Sequence, residues 1–244
     1  QMNEYLPGMI PVDEIQITNG DFTEFFEQYF NHRKPAVLKN AMTDWSLLKK
    51  WSPEYIIEEF GDYGCTLISD GRPAYAKDVT TLKNYFEEHL DKSTLTLKEF
   101  TIQDVPGFFN DIPFPNPLFS EELIRRYFFF HAPLDGGTLP HLHHDAFNML
   151  TKGNKHWVLH DAGRQTNPRG NQVMREFLKK YPIGAQAKDW FKNELASMPS
   201  KVDEAYEAFQ EPGDIVYVPS EFSHTVLNNG EVMGLVVERL RDGK

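Results

Sequence analysis

The pattern of hydrophobic positions changes character partway along the chain. Up to about residue 125 it reads as mixed helix and strand. Phe22, Phe25, Phe26, Tyr29 and Phe30 follow Asn19 and Asp21, two helix-capping residue types, and predict a helix. Ser52-Pro53 before Tyr55, Ile56, Ile57 and Phe60 predicts another, with Ser52 as N-cap and proline in the first turn. A third opens at Thr81 and runs through Leu82, Tyr85, Phe86 and Leu90. Pro35-Ala36-Val37-Leu38 is a short buried-strand candidate, and residues 106–118, with Pro106, Pro113, Pro115 and Pro117, read as a loop.

After Arg126 the pattern becomes that of strands. Tyr127-Phe128-Phe129-Phe130 is a buried strand, followed by strand candidates at 139–151, 155–160, 214–218, 224–228 and 232–239, punctuated by Gly, Pro and Asn. Lys152-Gly153-Asn154 reads as a tight hairpin turn. This succession predicts an antiparallel barrel or sandwich. Residues 164–201 interrupt it with a polar, helix-forming insert, and long insertions between barrel strands tend to cover the mouth. The N-terminal helices are expected on the outside of the barrel. The whole of 1–244 is expected to be one domain, with 1–125 as α/β support and 126–244 as barrel core.

Composition narrows the function classes. A formal charge of −11 argues against a broad nucleic-acid or anionic-membrane surface, so neither partner is expected. The single cysteine, Cys65, excludes an intrachain disulfide and fits a reducing compartment. The first residues lack the basic region and apolar run of a secretory signal, and no apolar stretch reaches membrane-spanning length. The expected location is the cytoplasm, with the nucleus as the alternative.

The candidate chemistry lies in two short segments. One is Leu142-His143-His144-Asp145; the other is Gly213-Asp214-Ile215-Val216-Tyr217-Val218-Pro219, closed by His224. Together they offer two imidazoles and a carboxylate, the set that holds non-haem Fe(II) on one face and leaves the other open. His-x-Asp alone is weak, because the chain holds a second copy, His89-Leu90-Asp91, on a predicted helix where the two side chains diverge. On a strand, residues two apart share a face, so His143 and Asp145 qualify. Lys155 shares a face with Trp157 and Leu159, an interior position that calls for an anionic partner, although a lysine snorkelling at the rim fits the pattern equally.

These residues resemble the JmjC (cupin-type) 2-oxoglutarate-dependent oxygenases, particularly the small protein-hydroxylase branch. Pro11-Val12, Lys34-Pro35-Ala36-Val37-Leu38, Asp44-Trp45 and Trp51-Ser52 look like that branch's entry. Pro140 to Trp157 looks like its iron strand and lysine hairpin, and Gly213 to Asn228 like its closing strand pair. The resemblance implies a double-stranded β-helix (jelly-roll or cupin barrel), mainly β with α, with N-terminal helices outside and a helical insert. It implies Fe(II) held by His143, Asp145 and His224, and 2-oxoglutarate held by Lys155, with Asn148, Tyr127 and Thr138 in the same shell.

The implied reaction is hydroxylation of a C–H bond in a protein, peptide or small-molecule substrate, with release of succinate and CO2. Two features depart from the pattern. The stretch from Asp145 to Lys155 is short, and the threonine that many members carry three residues before the first ligand stands before His141, as Thr138. A register using His141 and His143 therefore ranks second, because it loses the carboxylate. A germin-like manganese cupin through His141 and His143 lacks the glutamate it needs, since Phe147 and Asn148 stand there. Demethylation by the same chemistry and a metal-free binding module are the other readings.

Overall fold

The computed structural model describes the chain apart from residues 1–3, 69–77, 89–94, 101–105, 114–115, 119, 121, 133–135, 183–184 and 242–244. The His89-Leu90-Asp91 triplet thus lies outside the described residues. Among those described, the N-terminal part supplies strands β1 (Ile10–Pro11), β2 (Glu14–Gln16), β3 (Ala36–Lys39), β4 (Gly64–Ile68), β5 (Asp78–Thr81) and β6 (Leu95–Phe100). β7 (Ile124–Ala132), β8 (Gly137–His141), β9 (Asp145–Asp161), β10 (Tyr206–Gln210), β11 (Ile215–Val218) and β12 (Phe222–Arg239) follow. Helices α1 (Thr23–Phe25, continued by a π-helical turn Phe26–Phe30), α2 (Ser46–Lys50), α3 (Pro53–Phe60) and α4 (Leu82–Glu88) precede the barrel strands. α5 (Pro168–Lys180), α6 (Ala187–Glu194) and α7 (Met198–Lys201) form the insert. The predicted cap of α3 is present: Ser52 Oγ accepts from Tyr55 N at 3.2 Å, with Pro53 in the first turn.

β9 and β12 are the frame. They pair antiparallel along nearly their full lengths, from Asp145 opposite Arg239 to Asp161 opposite Phe222. Each changes neighbour halfway along one continuous sheet. The first half of β9 pairs with β11, and the second half of β12 with β7; the second half of β9 pairs with β10, and the first half of β12 with β8. The sheet extends outward through β3 and β2 on one side and through β6, β4 and β5 on the other. The result is a curled jelly roll, the architecture the resemblance implies.

The predicted hairpin at Lys152-Gly153-Asn154 is instead a bend within one strand. Asn154 pairs with Asn229 and Lys152 with Met233, so Gly153 alone faces residues 230–232. Gly153 has φ +78°, and a Cβ there would sit 2.1 Å from the Glu231 carbonyl oxygen. Beside it the register slips once more, between Met233 and Gly234, so that Thr151 has no cross-strand partner on β12 and the alternation along β9 shifts by one. Ala146 and Asn148 before it, and Lys155 and Trp157 after it, therefore line the same cavity.

The N-terminal helices pack outside the barrel, as expected. Phe25 meets Phe147 and Tyr217 edge-on, with ring centroids 5.9 and 5.1 Å apart, in a cluster that also takes Trp51, Phe60 and Phe108. The insert does not cover the mouth. Val173, Phe177, Trp190 and Phe191 pack on Leu139 and Val158, whose side chains point away from the cavity, so the amphipathic α5 and α6 cover the barrel wall.

Candidate metal centre and cosubstrate pocket

Three imidazoles converge at one end of the barrel cavity. His141 closes β8 directly opposite His224 of β12, and cross-strand partners share a face. His143 follows two residues later, in the segment between β8 and β9. One ring nitrogen of each lies within 4.8 Å of the corresponding nitrogens of the other two. Ring centroids are 4.1 Å apart for His141 and His224, 4.6 Å for His143 and His224, and 5.5 Å for His141 and His143. Nitrogens bound to one ion at about 2.0–2.1 Å stand at most about 4.2 Å apart, so a small closure brings these three onto one metal.

The backbone fixes which nitrogen each ring offers. Nδ1 of His141 faces the Leu139 carbonyl at 2.8 Å, Nδ1 of His143 the His144 carbonyl at 2.7 Å, and Nδ1 of His224 the Phe222 carbonyl at 3.1 Å. A carbonyl oxygen only accepts, so each Nδ1 carries the proton and each Nε2 keeps its lone pair. Such bonds also fix ring orientation in metal sites. Burial pushes His141 and His143 down to about 4 and His224 well below its ordinary value, with neighbouring imidazoles adding to the effect at His141 and His224. The rings are thus neutral near pH 7, the form a metal needs.

Asp145 stands apart from this cluster, which corrects the expected ligand set. A bend at His144 separates it from His143, so the strand alternation that would put both on one face is lost. As the first residue of β9, Asp145 shares a face with Phe147 and Met149, which belong to the outer core rather than the cavity. Its carboxylate accepts from Arg241 Nε at 2.7 Å, Arg241 Nη2 at 3.0 Å, Tyr217 Oη at 2.6 Å and Ser220 N at 3.1 Å. It is a buried structural anion tying the C-terminal segment to the barrel.

The cavity holds Thr138, His141, His143, Asn148, Lys155, Trp157, His224 and Asn228 among apolar walls that include Phe128, Phe130, Val226 and Val236, and its volume is about 60 Å³. Register slips between His224 and Val226, so Thr138 and His141, three residues apart, both face inward. Lys155 lies across the cavity floor. Its Nζ is 3.4 Å from Asn148 Oδ1 and 3.5 Å from the Phe130 ring centroid. Among the described residues it has no acidic partner, and burial pushes its ammonium well below the ordinary lysine value. Thr138 Oγ1 is buried without a hydrogen-bond partner among the described residues.

Tyr127 departs from its expected place. It is fully buried in the outer core, with its ring 4.3 Å from that of Phe109, while Phe128 and Phe130 on the other face of β7 line the cavity. Sequence reading ranked His141 second as a ligand and missed Arg241 altogether. The position of Thr138 pointed to His141, and the short stretch from Asp145 to Lys155 fits that register as well. Nothing local to Asp145 reveals an arginine that lies so far along the chain.

Residues 22–238 match the model of the cupin-like domain family. The chain belongs to the cupin-like family. The chain is 26% identical over 250 residues to a bifunctional arginine demethylase and lysyl-hydroxylase of Caenorhabditis briggsae. The alignment covers 92% of this chain and 60% of that relative. This cupin carries three histidines where the family resemblance implied two histidines and a carboxylate.

Proposed function

We propose that this cupin is an Fe(II)- and 2-oxoglutarate-dependent oxygenase that hydroxylates a C–H bond of a protein or peptide side chain. The observation that carries the reading is the pairing, within one cavity, of three Nε2 lone pairs at the mouth end with a buried lysine at the floor, Lys155, that has no acidic partner among the described residues. The donors fit a first-row metal, because imidazole suits iron and each ring is oriented by its Nδ1 hydrogen bond. The floor fits a dicarboxylate, because one carboxylate would satisfy both the buried ammonium and the orphaned Thr138 hydroxyl.

In this reading His141, His143 and His224 hold the metal, and Lys155, Thr138 and Asn148 hold the distal carboxylate of 2-oxoglutarate. When bound, metal and cosubstrate supply the oxidation of the substrate C–H bond, with succinate and CO2 released. The chain's own part is to bind and orient. Phe128, Phe130, Val226 and Val236 exclude water around the bound acid. Lys155 takes up a proton as the dicarboxylate enters, since an adjacent anion favours the charged form. No side chain in the cavity needs to serve as a general base.

Anaerobic titration of the apoprotein with Fe(II) and then 2-oxoglutarate tests the proposal. The expected result is a visible charge-transfer band that appears only with both present and is lost in His141→Ala. Folded protein that gives no band would overturn it.

A further inference from the structure

The rim of the barrel carries a charge pattern opposite to that of the chain as a whole. Although the net charge is −11, the open cleft at the mouth is lined by Arg33, Arg125, Arg126, His143 and His144, with Leu142 and the Ser220-Glu221 turn. His143 belongs to this cleft and to the cavity alike, so the cleft leads straight onto the imidazole cluster. Two acids oppose the three guanidiniums. Glu221 stands 3.5 Å from Arg33, with both side chains nearly half exposed, a pair too solvated to hold the arginine tightly.

Glu238 is fully buried, two residues beyond Val236 on the cavity face of β12, opposite Arg126 of β7. It lies 2.5 Å from Arg126 and 3.9 Å from Arg125. One buried carboxylate thus stands against two guanidiniums that line the cleft. Arg126 adds positive field at both His141 and His143.

Further in, no carboxylate faces the imidazole cluster among the described lining residues, since Asp145 is bound by Arg241 on the other face. A lysine or arginine side chain entering this barrel would meet Arg126, then a metal with no carboxylate ligand. The relative's name gives it cationic targets, arginine and lysine. The cleft here favours the opposite sign, because like charges at close quarters repel and planar guanidiniums match carboxylates.

We propose that this cupin takes an acidic peptide segment, whose carboxylate side chains dock on Arg33, Arg125 and Arg126 while the residue to be oxidised passes Leu142 to the three-histidine centre. The proposal rests on the oxygenase reading for its choice of a peptide. The test uses the full chain loaded with Co(II), whose visible spectrum reports occupancy of the histidines independently of any turnover. Two capped pentapeptides, Glu-Glu-Ala-Glu-Glu and Lys-Lys-Ala-Lys-Lys, are titrated calorimetrically at low and at high salt.

The acidic peptide is expected to bind at least tenfold more tightly than the basic one, weakening as salt screens the rim. Arg125→Glu is expected to remove that preference while the Co(II) spectrum stays unchanged, and Arg33→Glu to reduce it. Equal or tighter binding of the basic peptide, no binding of the acidic peptide at millimolar concentration, or a preference that survives both substitutions would overturn the proposal. Failure of Co(II) to occupy the histidines would instead count against the oxygenase reading, and the peptide preference of the metal-free protein would still decide the sign of the rim.

Discussion

Replacing Asp145 and replacing His141 should have opposite consequences, and the contrast follows from where each side chain points. Asp145 is 1% exposed and receives four hydrogen bonds, two from Arg241, one from Tyr217 and one from the Ser220 amide. Truncation to alanine leaves the Arg241 guanidinium and the Tyr217 hydroxyl without their anion. Removing one partner of a buried, hydrogen-bonded ion pair costs about 3–5 kcal/mol. That is a large share of the roughly 5–15 kcal/mol by which a domain is stable. Asp145→Asn keeps the shape, removes the charge and replaces one accepting oxygen by an NH2 donor, so it still perturbs the Arg241 pair and serves where the alanine variant unfolds.

His141, half-buried, touches the fold mainly through one bond to the Leu139 carbonyl, so His141→Ala should cost about 1 kcal/mol. It removes one of three donors, however. Loss of an outer-shell partner alone weakens metal binding by about 10–100-fold, so loss of the donor itself should exceed about 100-fold. Urea denaturation and anaerobic Co(II) titration on the same samples separate the two effects. The expected pattern is a destabilised Asp145→Asn that binds Co(II) normally and a stable His141→Ala that does not. The reverse pattern, metal binding lost with Asp145→Asn and kept with His141→Ala, would refute the three-histidine assignment.

Other substitutions and conditions give further checks. Lys155→Met should lower 2-oxoglutarate affinity in the metal-loaded protein by about 10–150-fold in calorimetry, the worth of a charged hydrogen bond, and should stabilise the ligand-free chain by removing a buried amine. Tyr127→Phe should leave that affinity unchanged, since Tyr127 faces the outer core. Acid should destabilise the metal-free protein over a defined window. His141, His143 and His160 are held at about 4 by burial against an ordinary 6.5, so between those values the unfolded chain binds more protons. Stability therefore falls as pH is lowered through that range, and urea midpoints at pH 7, 5.5 and 4.5 should decrease in that order. Gly153→Ala should cost well over 1 kcal/mol, because its φ of +78° and the 2.1 Å approach to the Glu231 carbonyl leave no room for a methyl; a thermal midpoint within a degree of wild type would contradict the bend at that residue.

The sequence alone determined the elements and most of the chemistry. Short apolar runs punctuated by Gly, Pro and Asn after Arg126 marked the barrel strands, Ser52-Pro53 marked a helix start, and Lys155 beside Trp157 marked an interior lysine that called for an anion. These are local properties, carried by residues within a turn or a strand of one another. The tertiary structure decided what each polar group faces. A bend at His144 removed Asp145 from the cavity, and Arg241, remote in sequence, gave its carboxylate another partner. Cross-strand pairing of His141 with His224 replaced it with a third imidazole. A bulge at Gly153 turned an apparent hairpin into one continuous strand, and the one-residue register slip beside it, at Thr151, brought Asn148 and Lys155 to the same cavity. A one-residue shift in a strand reverses every side chain that follows, and a bulge or bend supplies that shift without changing the hydrophobic pattern from which strands are read.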